Sequence, residues 1–107
     1  MFEVHVDISL FTKTAAFGML SGSLNLPVIP QVGDVIAFRL LHNVDAYCDG
    51  IPFGGHLRVT TRIISPDAGG GVLLVMEDLT AATSDDARLI MEMLAENYGL
   101  LGDVWEN

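Results

Sequence analysis

Two β-rich stretches on either side of a turn-rich segment constrain this chain more than any other feature, because together they predict a β-hairpin. The first, residues 56–65, carries an apolar side chain or a threonine at every second position. The second, residues 72–80, opens with five consecutive apolar residues. The Pro-Asp-Ala-Gly-Gly-Gly segment between them is typical of a turn, since proline and glycine favour turn conformations.

The register of this hairpin predicts which side chains share a face. Pairing Ser65 with Val72 groups the following residues on one face: Leu57, Val59, Thr61, Ile63, Val72, Leu74 and Met76. The same pairing places Arg58 and Arg62 on the other face, diagonally on either side of Glu77. The two arginines can form an anion site or be neutralised by Glu77, and the sequence favours neutralisation.

Three further strands are predicted before this hairpin, over residues 2–10, 16–28 and 34–42, and one helix after it. Strands followed by a single helix predict an α+β fold. We expect an antiparallel, strongly curled sheet of about five strands, forming a half-barrel or small barrel, with one C-terminal helix. The predicted divisions are a single domain over residues 1–107, with the sheet in 2–80, the helix in 84–98 and an acidic tail in 99–107.

The predicted helix has local start and stop signals. Thr83 and Asp86 have the spacing of a capping box, and Ser84 is an alternative cap. Gly99 is a natural stop, because glycine readily adopts the left-handed conformation that ends a helix. The apolar stripe at helical spacing consists of Leu89, Ile90, Met93, Leu94 and Tyr98. We interpret this stripe as part of the core.

Two of the predicted strands, residues 34–42 and 72–80, are apolar on both faces and therefore need cover on both sides. A helix of about 15 residues is only about 22 Å long and covers one face of a small sheet. The sequence therefore predicts one of two arrangements for the second face. The sheet either curls around its own interior or meets a second copy in a homodimer.

The chain is acidic, with a formal net charge of −9, and the charge is concentrated near the end. Residues 84–107 hold six acidic side chains against Arg88, a net of −5. Such a surface argues against nucleic-acid binding and suits a basic protein partner or simple solubility. No apolar run reaches the length of about 18–20 residues that a membrane helix needs. The single cysteine cannot form an internal disulfide, so a cytoplasmic location is expected.

The only polar constellation of interest lies in the predicted loop around residues 42–56. The candidate binding residues are His42, Asp45, Tyr47, Cys48, Asp49 and His56, with Trp105 in the tail. Cys48 could act as a nucleophile, but the neighbouring carboxylate of Asp49 would raise the pKa of the thiol. The His, Asp and Cys spacing matches no standard zinc pattern. His5 and Asp7 are interpreted as a solvated pair. Trp105 is either tucked under the sheet or offered to a partner, and we favour tucking.

These observations favour a non-enzymatic domain that acts through protein contacts, as an inhibitor, immunity protein or adaptor for a basic partner. One alternative is a structural subunit that self-associates through its sheet. A second is a hydrolase or metal-binding protein that uses the loop of residues 42–56. We expect no cofactor, no nucleic acid and no membrane among its partners.

Overall fold

The computed structural model describes residues 1–39, 54–66 and 71–105, and shows an α+β fold with one mixed sheet and one helix. The elements are β1 (Phe2–Thr12), β2 (Ala16–Leu26), β3 (Val35–Ala37), β4 (His56–Ile64), β5 (Val72–Met76), β6 (Leu79–Ala81), α1 (Ser84–Tyr98) and β7 (Leu101–Val104). Within these ranges there is no helix both long and apolar enough to cross a bilayer.

Seven strands of the described residues form the sheet, and its centre is β1. The strand order is β3-β4-β5-β1-β2-β7, and β6 also pairs with β1. β1 is antiparallel to β2 but parallel to β5 and β6. The prediction of an antiparallel, strongly curled sheet of about five strands is therefore wrong, since the sheet is mixed and neither closed nor strongly curled. The cause is long-range: after the β4–β5 hairpin, the chain runs alongside its own first strand in the same direction.

The helix lies where a parallel crossover requires it. β7 is antiparallel to β2, β2 is antiparallel to β1, and β1 is parallel to β6, so β7 runs parallel to β6. Parallel strands need a long connection, usually a helix on one face of the sheet. Because β1 and β2 lie between β6 and β7, α1 passes over them and contacts all four strands. The helix thus carries the chain from the middle of the sheet to its edge.

The core lies between α1 and the sheet face that it covers. The alternation predicted for β1 is confirmed, because Val4, Val6, Ile8 and Leu10 are completely buried. Ile90 and Met93 of α1 are also completely buried. Fully burying one such side chain contributes about 1.5–3 kcal/mol, so this layer is the main source of stability.

Both ends of the helix are where the sequence predicts them. The Thr83 side chain accepts a hydrogen bond of 3.1 Å from the amide of Asp86. Gly99 adopts the left-handed conformation with φ 69°, and its amide donates to the carbonyl of Ala95. The stripe is shifted slightly, because Asn97 is buried and its side-chain amide donates to the carbonyl of Met93 at 2.9 Å.

The register predicted for the β4–β5 hairpin is wrong by one residue, because Ile64, rather than Ser65, pairs with Val72. A bulge follows at Thr60, since Val59 pairs with Met76 but Thr61 pairs with Val75. Because of the extra residue, the side chains of β4 after the bulge point to the opposite faces from those predicted. Leu57 and Val59 face the core as predicted, whereas the side chains of Thr61 and Ile63 lie on the opposite face.

Arg58 and Glu77 contact each other, but not as the predicted charge pair. The backbone amide of Arg58 donates to the Glu77 carboxylate at 2.7 Å, and the Glu77 amide donates to the Arg58 carbonyl at 2.8 Å. The Arg58 guanidinium instead donates to the carbonyl of Gly33 at 2.7 Å. Arg58 therefore joins β4 to the turn before β3.

The predicted strand over residues 34–42 is shorter than expected, and only Val35–Ala37 is a strand in the described part. Phe38 leaves the strand and is buried, with its ring edge-on to Tyr98 at a centroid distance of 5.3 Å. The Tyr98 hydroxyl donates to the Arg39 carbonyl at 2.6 Å and accepts from the Arg39 amide at 2.5 Å. These contacts hold the C-terminal end of α1 against the segment that follows β3.

Candidate functional site

Most of the site predicted from sequence cannot be compared with the fold. His42, Asp45, Tyr47, Cys48 and Asp49 lie outside the described residues. The other two candidates are described and lie far apart in the sheet. His56 begins β4 and Trp105 follows β7, and three strands separate β4 from β7 in the strand order. The fold does not bring these two side chains together.

His56 lines a small polar depression. Its Nδ1 donates to the carbonyl of Gly54 at 3.0 Å, which leaves Nε2 directed away from that contact. The depression has a volume of about 230 Å³ and also contains Glu77, Asp78 and Thr80. Among the described residues, no three His, Cys, Asp or Glu side chains are close enough to hold a metal ion. One Glu77 carboxylate oxygen accepts a hydrogen bond from the Arg58 amide.

The sheet face opposite the helix is polar at its centre. His5 is exposed and Asp7 half-buried on this face, which agrees with their predicted position. The hydroxyl of Ser23 and Nδ1 of His5 form a hydrogen bond of 3.2 Å between β2 and β1. Ser21 lies beside Asp7 in the register. This arrangement is a solvated cross-strand network.

A groove between α1 and β7 has a more distinctive composition. Its volume is about 280 Å³, and it is lined by Arg88, Met91, Glu92, Ala95, Gly102 and Val104. The helical residues follow the spacing of one stripe. Gly102 allows the close approach of the strand, because a Cβ atom there would lie 2.4 Å from the sulfur of Met91. The floor of the groove is therefore apolar, and its rim is charged.

The strand that forms one wall of this groove is an edge strand. The Trp105 amide donates to the Phe17 carbonyl at 2.8 Å. Because backbone groups alternate in an antiparallel pair, Leu101 and Asp103 also direct theirs toward β2. Gly102 and Val104 direct theirs away from β2. No strand of the described part of the chain pairs with that outer side.

Two large apolar side chains are exposed beside this edge. Leu101 is 76% exposed, and Trp105 is 47% exposed. The expectation that Trp105 is tucked under the sheet is therefore wrong. The backbone of Trp105 is held by β2, while much of its indole ring contacts solvent. Exposed Trp side chains are enriched where proteins bind one another.

Acidic side chains lie on both elements that form the groove. Asp85, Glu92 and Glu96 lie along the exposed side of α1, and Asp103 is exposed on β7, on the sheet face away from the groove. The base among the lining residues is Arg88, whose guanidinium lies 5.3 Å from the centre of the Phe17 ring. This cation–π contact holds Arg88 against the protein. Arg88 keeps its charge, but the exposed carboxylates on α1 and β7 outnumber it, so this edge of the molecule is negative overall.

A second apolar depression lies between the end of β2 and β3. Its volume is about 430 Å³, and its lining includes Leu26, Val28, Val35 and Ile36. Val28 and Val35 are exposed. The lining holds one carboxylate, Asp34, which accepts a hydrogen bond from the Gln31 amide within its own turn. The depression therefore offers little to select a partner by charge.

Sequence reasoning missed the groove because it missed β7, which was assigned to an acidic tail. The available signal was weak, since Leu101–Val104 is a four-residue strand that contains glycine and aspartate. Both residue types are uncommon in strands. No known protein family, curated protein or solved structure shows a significant match to this chain.

Proposed function

We propose that this protein is a non-enzymatic binding domain that engages a basic protein partner through α1 and β7, in the manner of an inhibitor, immunity protein or adaptor. The observation that supports the proposal is the coincidence of three features in one place. An apolar groove, an unpaired strand edge and a negative rim all lie at the α1–β7 side of the sheet. Each feature has a separate role in binding.

The negative rim would act mainly before and during encounter. Charges at the edge of an interface attract a partner of opposite sign and raise the association rate, and salt weakens that effect. Asp85 and Glu92 on α1 and Asp103 on β7 are exposed and available for this role. The apolar floor would contribute the burial that keeps the partner bound.

Self-association through the sheet is less well supported by the same geometry. The sheet face opposite the helix carries half-buried Leu73 and Val75 and exposed Ile63. Its centre, however, carries His5, Asp7 and Ser23. Burying such polar groups costs free energy unless each finds a partner. Light scattering on a sizing column tests this alternative, because a dimer that survives high salt would favour it. The hydrolase or metal-binding alternative depends on residues 42–56, and the described geometry adds nothing to it.

The proposal is tested by capture from an extract of the source cells with matched charge variants. The variant Glu92→Gln/Asp103→Asn removes two negative charges from the rim. The control Glu3→Gln/Asp78→Asn removes two charges from exposed positions elsewhere. Both variants therefore have the same net charge, two units less negative than the parent. They differ only in where the charges were removed.

We expect the parent and the control to retain the same basic protein at about 50 mM salt and to release it near about 300 mM, where screening is strong. The rim variant should retain about tenfold less, which corresponds to about 1.4 kcal/mol of binding free energy. Equal retention of every basic protein by the rim variant and the control would refute the proposal.

A further inference from the structure

We infer that β7 is a site for strand addition, at which a basic, extended segment of the partner pairs with the outer edge of the sheet. This inference rests on the proposed function and specifies how the partner is held. In this binding mode, main-chain hydrogen bonds supply affinity and alternate side chains supply specificity.

The outer edge of β7 presents backbone groups that a further strand can bind. The amides and carbonyls of Gly102 and Val104 point away from β2, since Trp105 and every second residue before it bond toward β2. Within the described ranges no element covers them. An added strand would satisfy these two donors and two acceptors without disturbing any existing pairing.

The groove lies on the side of that edge to which alternate residues of an added strand would point. Gly102 and Val104 face the helix side of the sheet, because their partners in the register, Leu20 and Gly18, lie in the row that faces α1. Residues of an added strand opposite them would point to the same side. There the floor is formed by Met91, a flexible side chain, and Ala95, a small one. Such a floor accepts a valine, leucine or isoleucine side chain.

The other face of the edge carries a negative charge. Asp103 faces away from the helix, beside Leu101. A residue directly opposite Asp103 in an added strand would form a cross-strand pair with it, and opposite charges stabilise such pairs. The preferred segment therefore alternates apolar residues toward α1 with lysine or arginine toward Asp103.

Charge also decides between a partner and a second copy of this chain. Pairing β7 with the β7 of another copy would bring two edges together that each carry Glu92 and Asp103. Like charges across neighbouring strands are destabilising. An extended basic segment has the complementary charge, so it is the occupant that fits this edge.

The probe is a capped synthetic peptide that alternates valine and lysine, and a peptide that alternates valine and glutamate is its control. The key variant is Val104→Pro, because proline removes the amide hydrogen that points outward and leaves the bonds to β2 in place. Val104→Thr is its matched control, since threonine keeps the shape, the β-branch and the amide. Binding is measured by titration calorimetry and by backbone amide shifts in NMR spectra.

We expect the valine–lysine peptide to bind the parent, to shift and protect the amides of Gly102 and Val104, and to outcompete the valine–glutamate peptide. Val104→Pro should weaken binding about tenfold, and Val104→Thr by less than about threefold. If Val104→Pro does not fold, protection of the two amides in the parent decides the matter. Absence of that protection, or equal binding by the proline and threonine variants, would overturn strand addition.

The same peptide separates this inference from the function on which it rests. If Glu92→Gln/Asp103→Asn weakens binding while Val104→Pro does not, the acidic surface binds basic segments but not by strand addition. If the peptide fails to bind the parent at millimolar concentration, strand addition is wrong, and the capture experiment alone decides the proposed function.

Discussion

Replacing Gly18 with alanine tests whether the close approach of β2 and β7 holds the edge strand in place. Gly18 is buried in β2 and pairs with Val104 of β7. A Cβ atom at this position would lie only 2.3 Å from the backbone carbonyl oxygen of Asp103. The added Cβ atom would meet a backbone atom, so the clash cannot be relieved by rotating a flexible side chain.

The size of the effect follows from that distance. Reaching ordinary contact requires the separation to rise from 2.3 to 3.4 Å, a displacement of about 1.1 Å. Lengthening the β2–β7 hydrogen bonds by that amount would take them beyond bonding distance. Such overpacking costs about 1–3 kcal/mol. Alanine recovers about 0.4–1 kcal/mol by restricting the unfolded chain, so the net loss should be about 1–2 kcal/mol.

Urea denaturation followed by circular dichroism measures this loss, and Gly71→Ala is the matched control. A Cβ atom at Gly71 would meet nothing within 4 Å. We expect Gly18→Ala to lower the urea midpoint by about 0.5–1 M and Gly71→Ala to leave it nearly unchanged or raise it slightly. If Gly18→Ala is as stable as Gly71→Ala, the packing of β7 described above is incorrect.

Three further variants test the layers on which the site is built. Tyr98→Phe removes a hydroxyl that both donates to and accepts from the Arg39 backbone. This change should lower the free energy of unfolding by about 1–2 kcal/mol in the same urea assay. An unchanged midpoint would mean that these hydrogen bonds do not hold α1 to the segment after β3. Ile90→Ala in the core should cost about 2–5 kcal/mol, whereas Leu101→Ala on the exposed edge should cost less than about 0.5 kcal/mol; similar losses at both positions would contradict the assigned burial.

Local signals predicted the local structure well. The helix begins after Thr83 and ends before Gly99, because the cap residue and the left-handed glycine act on their immediate neighbours. The buried face of β1 was predicted because alternation with a period of two is visible in a single strand. The helix caps join residues that are close in sequence, and the buried face of β1 follows a pattern that repeats along the strand.

The topology could not be predicted in this way. Whether β1 lies beside residues 72–81, and in which direction, depends on pairs such as Leu10 and Leu79 that no local pattern reveals. No local pattern indicates the bulge at Thr60 either, since two consecutive threonines fit a regular strand as well as an irregular one. An error of one residue there placed Ile63 on the wrong face.

Of the properties of the candidate site, the sequence predicted only its negative charge. The acidic side chains near the end of the chain were evident from sequence, but the groove exists only because α1 returns the chain to the edge of the sheet. Five of the seven predicted binding residues lie outside the described residues, so those assignments remain predictions. Trp105 lies beside the groove strand, but it reaches that position through β7, which the sequence did not predict.

The central position of β1 also has a consequence for biosynthesis. β1 and β2 can pair as soon as both have left the ribosome, but the other edge of β1 waits for β5 and β6. Leu10 pairs with Leu79, so about 70 residues separate the strand from its second neighbour. At translation rates of about 5–20 residues per second, that interval lasts about 4–14 s. During this time β1, whose four core side chains are completely buried in the folded protein, presents an open edge. An open strand edge is a template on which another chain can pair.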